Sequence, residues 1–393
     1  MMPSTQPFVR DRLTWLAYGM LAYIGFSQSI LGPLMPFLRT ELQLNYTLGG
    51  LLPATLATGL IISGLISDGL ARRWSRRAVF WFGSLGLATG VILLTLSYRF
   101  ESALIAVLAM GTFSSLTQVM IQAILSDRHA EGRSIALTEA NVAASLSTTV
   151  TPLVIGSLQG TGLGWRTVPV LVVIFLALLG LTFYRQAIPD HPVEQTQSTE
   201  SGGRLPVAFW LYWIVLFFVV AVEMSVVVWA TEYLDSVAGL SRTDAVLGYS
   251  AFPAAMLVGR IAGSRLTRRS SSLTLLLIAL GVTLVGFPLF WLTRLPALNI
   301  LGLFITGLGI ANMYPLTISI AIGLARDQSN LASARISMGV GSALLTAPLL
   351  LGWLADILSL QIAYGMVVLL MLAAIAIVAG SRSRSQSQVP SRS

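Results

Sequence analysis

Twelve apolar stretches, each long enough to cross a lipid bilayer, leave this chain little choice of fold. They lie at about 13–38, 46–71, 78–98, 103–126, 134–158, 165–185, 207–234, 242–266, 271–293, 296–325, 330–355 and 360–380. A helix rises about 1.5 Å per residue, so roughly twenty residues span a hydrocarbon core about 30 Å thick. Lipid offers the backbone no hydrogen-bond partners, and stretches of this length satisfy themselves only as helices. The expected fold class is therefore an all-α membrane protein with twelve transmembrane helices.

The remaining composition narrows the chemistry. Residues are 55% hydrophobic and 10% charged, against roughly 25% charged in soluble domains. Cysteine is absent, which excludes disulfides and thiolate metal sites. His129 and His191 both fall in polar connections, so no histidine metal site or intramembrane histidine relay is expected. All 24 basic residues are arginine. Schiff-base chemistry and a Walker A lysine are thereby ruled out, and ATP hydrolysis with them. No cofactor, no metal and no enzymatic activity are expected: paired intramembrane acids and nucleophiles are lacking, and no segment is long enough for a soluble signalling domain. A channel is disfavoured because no ring-forming motif is present.

The arginines read as orientation signals rather than as a nucleic-acid surface, despite a net charge of +8. Seventeen fall on the side that receives both termini and five (Arg39, Arg99, Arg166, Arg242, Arg294) on the other. A bias of that size places the first side in the cytoplasm. The expected location is a cell (inner) membrane, multi-pass, with both termini cytoplasmic. The long connection 186–206, QAIPDHPVEQTQSTESGGRLP, reads as a flexible cytoplasmic linker. It separates an N-terminal six-helix bundle (1–185) from a C-terminal one (207–380), with a disordered cytoplasmic tail at 381–393.

The two halves resemble repeats. At an offset of 195, Gln28 corresponds to Glu223 and Gly64 to Gly259; at 196, Pro152 and Gly156 correspond to Pro348 and Gly352, and Glu139 to Arg335. Two pseudo-symmetric six-span halves, a cytoplasmic linker, and Gly64-x-x-x-Asp68 followed by Arg72 and Arg73 between spans two and three resemble the major facilitator superfamily. Gly69 and Ala71 depart from its usual pattern, and Gly263 stands where the second half would repeat Asp68. The fifth span keeps Pro152 and Gly156 but not the Gly-Pro pair of the antiporter signature. Glu223 in span seven, GRIAG at 259–263 and GLGIANMYP at 307–315 look loosely like the fucose–galactose–hexose permease branch. The resemblance implies alternating access by a monomer carrying a small-molecule substrate through a central cavity. It also implies that spans two and eleven, and five and eight, approach each other.

Intramembrane polar residues supply the candidate site. The run at 207–234 holds a carboxylate near its middle, Glu223. An uncompensated charge at that depth costs about 3 kcal/mol on lenient scales, and such residues are functional by default. It is the leading residue for proton coupling or substrate contact. Gln28, Gln118, Gln122, Asn141, Asn312 and Tyr314 are candidate substrate-binding residues, and Trp229 a candidate platform for a ring. Each has an alternative: amides are ordinary interhelical glue, and a tryptophan can face lipid. Nearer the cytoplasmic ends, Gly64, Asp68, Arg72, Arg73, Glu139, Arg260 and Arg335 form a candidate cytoplasmic gate. Asp68 is expected to pair with Arg335 or with the positive N-terminus of span eleven, and Glu139 with Arg260, unless each snorkels or pairs within its own half. The expected function is proton-coupled uptake of a neutral, sugar-like solute, a symporter's work. Proton-driven efflux of amphipathic or cationic compounds is the alternative.

Overall fold

The computed structural model describes residues 8–129, 132–189, 205–325 and 328–386, apart from the side chains of Asp68, Asn330 and 382–386. Among the described residues every regular element is helical. Twelve helical stretches, from Arg12–Glu41 to Leu360–Ser381, are long and apolar enough to cross a membrane. The elements are α1 Arg12–Gln28, α2 Leu31–Glu41, α3 Tyr46–Arg73, α4 Arg76–Thr95, α5 Phe100–Arg128, α6 Arg133–Gly160, α7 Val168–Phe183, α8 Val207–Ser236, α9 Arg242–Tyr249, α10 Ala251–Leu266, α11 Ser272–Leu292, α12 Pro296–Leu324, α13 Ser329–Leu358, α14 Leu360–Ala363 and α15 Gly365–Gln386.

Two spans are each made of two helices, and in both a proline explains the break. A proline ring clashes with the carbonyl four residues back. Pro33 puts that clash at Ser29, where α1 gives way to α2, and Pro253 puts it at Tyr249, the last residue of α9. Pro53, Pro152, Pro288, Pro315 and Pro348 instead lie inside continuous helices.

Backbone packing divides the chain into two units. The first comprises Met1–Ile30 and Thr55–Glu194, the second Leu31–Ala54 and Gln195–Ser393. The division between 194 and 195 falls within the linker expected at 186–206, whose residues 190–204 lie outside the described residues, as does the tail from 387. The segment 31–54, which precedes the linker by far in sequence, belongs with the second unit.

In the first unit α1 lies along α6 and α5, α4 along α5, and α7 against α1 and α4. Helices in lipid have no hydrophobic drive to associate, so close contact through small residues has to hold them. At Gly83 of α4, an added Cβ would stand 2.9 Å from the carbonyl oxygen of Phe113 on α5. The Arg-rich end of this unit is tied by side chains. Asp11 caps α1 through the backbone N–H of Thr14 (2.9 Å) and its hydroxyl (2.7 Å), and pairs with Arg128 at 2.7 Å. His129 Nε2 lies 2.7 Å from Thr14 Oγ1, with its ring on Phe8.

Asp11 and His129 are both shifted downward. Burial lowers His129 below its ordinary value of 6.5. Burial pushes Asp11 up, but the hydrogen bonds from Thr14 and Arg128 outweigh it and hold the carboxyl below 3.8. Each group binds fewer protons folded than unfolded, so the stability they add is complete above the unfolded values and fades as pH falls through the folded ones. The expected result is a melting temperature that declines as pH drops below about 6.5, with a flatter decline in His129→Gln. Melting curves of the two proteins across that range check it.

The second unit is built around α8, which packs against α2, α12, α13 and α15. Its core is aromatic: the Tyr233 ring lies 5.0 Å from Phe290 and 5.1 Å from Tyr364, all fully buried.

Candidate functional site

Glu223 sits near the midpoint of α8, half-buried. Among the described residues its carboxylate makes no hydrogen bond and no close ion pair. It interacts through space with Arg260 of α10, Tyr249 at the end of α9 and Tyr314 of α12, all within the second unit. Arg260 is exposed and Tyr314 is 38% exposed, whereas Tyr249 is buried. The neighbouring glycines explain how a charged residue is tolerated on α10. Gly259 and Gly263 face α12, where an added Cβ would meet Ala311 and Asn312. That leaves Arg260, next to Gly259 in sequence, on an exposed part of the helix. Asn312 Nδ2 donates to the Gly259 carbonyl at 2.7 Å, so this amide ties α12 to α10. The arrangement sets the Glu223 carboxyl near a guanidinium and two phenols, groups able to donate hydrogen bonds.

In the first unit, Gln28 Nε2 donates to Ser114 Oγ on α5 at 2.7 Å. Gln118, half-buried, lies four residues beyond Ser114 on the same face. Ser29 donates to Thr151 Oγ1 at 2.8 Å, tying the end of α1 to α6. Gln122 is exposed, and Asn141 is exposed with Nδ2 donating to its own helix at Leu137 (2.8 Å).

Trp229 is placed differently from the platform expected of it. It is fully buried. Its Nε1 donates to the Pro348 carbonyl at 3.0 Å, and its ring packs on Tyr46 and against Gly49 and Gly352. The residue fills a gap between α8, α3 and α13, and none of it is left to face a solute.

The expected gate partners also differ. Glu139 pairs with Arg10 at 2.5 Å and accepts from the Tyr18 hydroxyl at 2.9 Å, both within the first unit. The reason is the packing of α1 along α6, which brings the residues preceding and beginning α1 onto Glu139. Arg260, its expected partner, belongs to the second unit, where it acts on Glu223 through space. Arg335 is exposed, and its carbonyl accepts from Trp213 Nε1 at 2.7 Å. The Asp68 side chain lies outside the described residues, and with it the expected pairing to Arg335. Gly64 has open space where a Cβ would stand, and Arg72 and Arg73 are exposed at the end of α3.

A second cluster, at the Arg-poor end of the second unit, was missed in the sequence. There the segment 31–54 is bound to α8, α9 and α13. Arg39 of α2 forms an ion pair with Glu232 of α8 and stacks 3.5 Å over the Tyr46 ring. Asp356 of α13 accepts from the backbone N–H groups of Tyr46 and Thr47, both at 2.8 Å, and from the Thr47 hydroxyl at 2.6 Å. A carboxylate thus caps the exposed donors that begin α3. Arg242 of α9 donates to Thr40 Oγ1 at 2.9 Å and lies 3.5 Å from Asp235. Close backbone approach accompanies these ties: Gly50 faces the Pro348 carbonyl and Gly352 faces Tyr46. One signal was available: Glu232 is a second acid in the run 207–234 that was read for Glu223.

Comparison with known proteins agrees with this architecture. The family model described as Major Facilitator Superfamily matches residues 17–329. An uncharacterized MFS-type transporter of Yersinia pestis is 25% identical over 354 residues, covering 88% of this chain and 90% of that protein. An uncharacterized transporter of Sinorhizobium fredii is 29% identical over 136 residues, 35% of this chain and 36% of that one. Among solved structures, a bacterial homologue of the human lysosomal transporter Spinster, inward-facing and occupied, superposes with a TM-score of 0.76 at 15% identity, covering 96% of this chain and 98% of that one. A D-xylose–proton symporter gives 0.72 at 15% identity, covering 93% and 96%. A mutant of the nucleoside transporter NupG gives 0.74 at 13% identity, covering 94% and 99%.

Proposed function

Because the chain belongs to the Major Facilitator Superfamily, whose members carry small molecules across membranes, we propose that it takes up a neutral, sugar-like solute by alternating access, coupled to protons. The observation that carries this reading is Glu223: a mid-span carboxylate, half-buried, with no direct partner among the described residues. An ionisable side chain at that depth marks a functional site by default. The groups beside it within the second unit, Tyr249 and Tyr314, are phenols, which suit hydroxyl-bearing solutes. Solved relatives of the fold include a D-xylose–proton symporter and a nucleoside transporter, both named for polar solutes. The arginine bias supports an orientation with the Arg-rich side and both termini in the cytoplasm.

A thermal-shift screen of the wild type and Glu223→Gln tests the reading, with sugars, polyols, organic acids, nucleosides and lipophilic cations at two pH values. A ligand of the native state raises the melting temperature by mass action. A sugar or nucleoside hit whose pH dependence disappears in the variant is the expected result. Hits confined to lipophilic cations and lost in the variant would replace uptake with efflux. The same hits and pH response in both proteins would make Glu223 a packing residue.

A further inference from the structure

The second unit carries an open cleft of about 780 Å³ at its Arg-poor end, between spans eight and ten. Its walls are the connection 239–241, α9 with the first turn of α10, and α12 from Pro296 to Phe304. A volume of that size falls in the usual range of ligand sites, about 300–1,000 Å³. Small residues make the room. At Gly248 the helix lies close on α12, since an added Cβ would stand 3.1 Å from Ile300 Cδ1. Beyond it the wall is Ala251 and Ala254, with only a methyl group each. The cleft is separate from the Glu223 site: Arg260 follows Ala251 by nine residues on α10, half a turn out of phase.

The polar groups of the cleft sit at its mouth. Ser241 and Asp244 are there, both exposed. The remaining hydroxyl in its wall, Ser250, is turned back on its own helix and donates to the Leu247 carbonyl at 2.5 Å. Deeper down, Leu247, Ala251, Ala254, Ile300 and Phe304 offer only hydrocarbon. A sugar held there would leave its hydroxyls unpaired, whereas an acyl chain has none to pair. From Pro296 to Phe304 the cleft runs about 12 Å along α12, close to the roughly 15 Å of hydrocarbon in one leaflet. The mouth also has a charge preference. Asp244 Oδ2 accepts from the Ser241 hydroxyl at 2.6 Å, and among the described residues Oδ1 has no partner and the carboxylate pairs with no cation. Arg294, exposed two residues before Pro296, is within reach of the same rim.

We propose that this cleft is a binding site for a phospholipid with a primary-amine headgroup, taken from the leaflet on the Arg-poor side. One acyl chain lies along Ala251, Ala254 and Phe304, the ammonium donates to Asp244, and the phosphate is turned toward Arg294. A carboxylate accepts a charge-assisted hydrogen bond from an ammonium. It has no such bond to take from a quaternary choline headgroup, which carries no N–H, and it repels a headgroup whose charge is only negative. The lipid site goes beyond the transport reading and does not depend on Glu223.

The test melts the purified protein in detergent against rising amounts of phosphatidylethanolamine, phosphatidylcholine or phosphatidylglycerol with identical acyl chains. A lipid bound to the native state raises the melting temperature by mass action. The ethanolamine lipid is expected to bind about tenfold more tightly than the other two, the usual effect of one hydrogen bond to a charged group. Asp244→Asn should bring the three lipids level. Ala254→Phe, which fills the cleft, should weaken all three. Equal binding of the ethanolamine and choline lipids by the wild type would overturn the proposal, as would tighter binding of the glycerol lipid. So would an ethanolamine preference that survives Asp244→Asn, or binding untouched by Ala254→Phe. Should Ala254→Phe fail to fold, the wild type decides. An ethanolamine lipid with a diazirine midway along its acyl chain should attach on illumination within 247–254 or 300–304, and attachment spread evenly over the spans overturns the site. Glu223→Gln should leave every one of these responses in place, so the coupling role of Glu223 and the lipid site stand or fall separately.

Discussion

Glu223→Gln is expected to abolish proton-driven accumulation of the solute while leaving the protein folded and able to exchange solute across the membrane. One pH unit is worth about 1.36 kcal/mol per proton, a factor of ten in concentration. A gradient of about two units can therefore sustain up to about hundredfold accumulation at one proton per solute, and the variant should fall to equal concentrations on the two sides. Glutamine keeps the shape of the side chain and loses only the titrating charge. The native carboxylate makes no hydrogen bond among the described residues, so little packing is at stake. Melting temperature should stay within a degree or two of wild type, in keeping with a substitution that breaks no contact. The assay is solute uptake into proteoliposomes with and without an imposed pH gradient, beside counterflow at equal pH. Accumulation retained in the variant would remove Glu223 from the coupling mechanism. Counterflow lost together with accumulation would assign it to solute binding instead.

Trp229→Ala should have the largest effect on stability, about 3–5 kcal/mol, the usual range for deleting a large buried aromatic side chain. The ring is fully buried, touches Tyr46, and closes the space beside Gly49 and Gly352, where no side chain exists to move in. Truncation would leave a cavity that neighbouring backbone cannot refill. It would also remove the indole hydrogen bond to the Pro348 carbonyl. The expected observation is a melting temperature lowered by many degrees in detergent, and a smaller drop for Trp229→Phe. Had Trp229 been a platform for a ring, the alanine variant would melt like the wild type and lose ligand affinity instead. A melting temperature unchanged by Trp229→Ala would restore that reading and contradict the packing described here.

Much of the architecture was legible before any coordinates. The length of each apolar stretch sets a membrane-crossing helix, because unsatisfied backbone groups are too costly in lipid. The breaks in spans one and eight, beside Pro33 and Pro253, were not read from the sequence, because other prolines such as Pro53 and Pro152 lie inside continuous helices. The family followed from Gly64, Asp68 and the arginines after them, within two six-span halves. The partners of the charged residues were not legible in the same way. Glu139 was expected to reach Arg260, yet it takes Arg10 and Tyr18. Asp356 lies about 310 residues from Tyr46, whose N–H it accepts. Pseudo-symmetry could not supply these pairs: Gly64 and its repeat counterpart Gly259 occupy open space and a helix contact respectively.

The sequence by itself determined the number of spans, their helical nature, the distribution of arginine between the two sides, and the position of an acid in the middle of α8. These follow from local composition and from the solvent, which act on each segment independently. Only the tertiary structure decided which charges meet, that Trp229 is a buried wedge, and that 31–54 packs with the second unit through Arg39, Glu232 and Asp356. Ion pairs and helix caps depend on distances of about 3 Å between atoms far apart in the chain. Rotation and depth of each helix set those distances, and packing against its neighbours sets both.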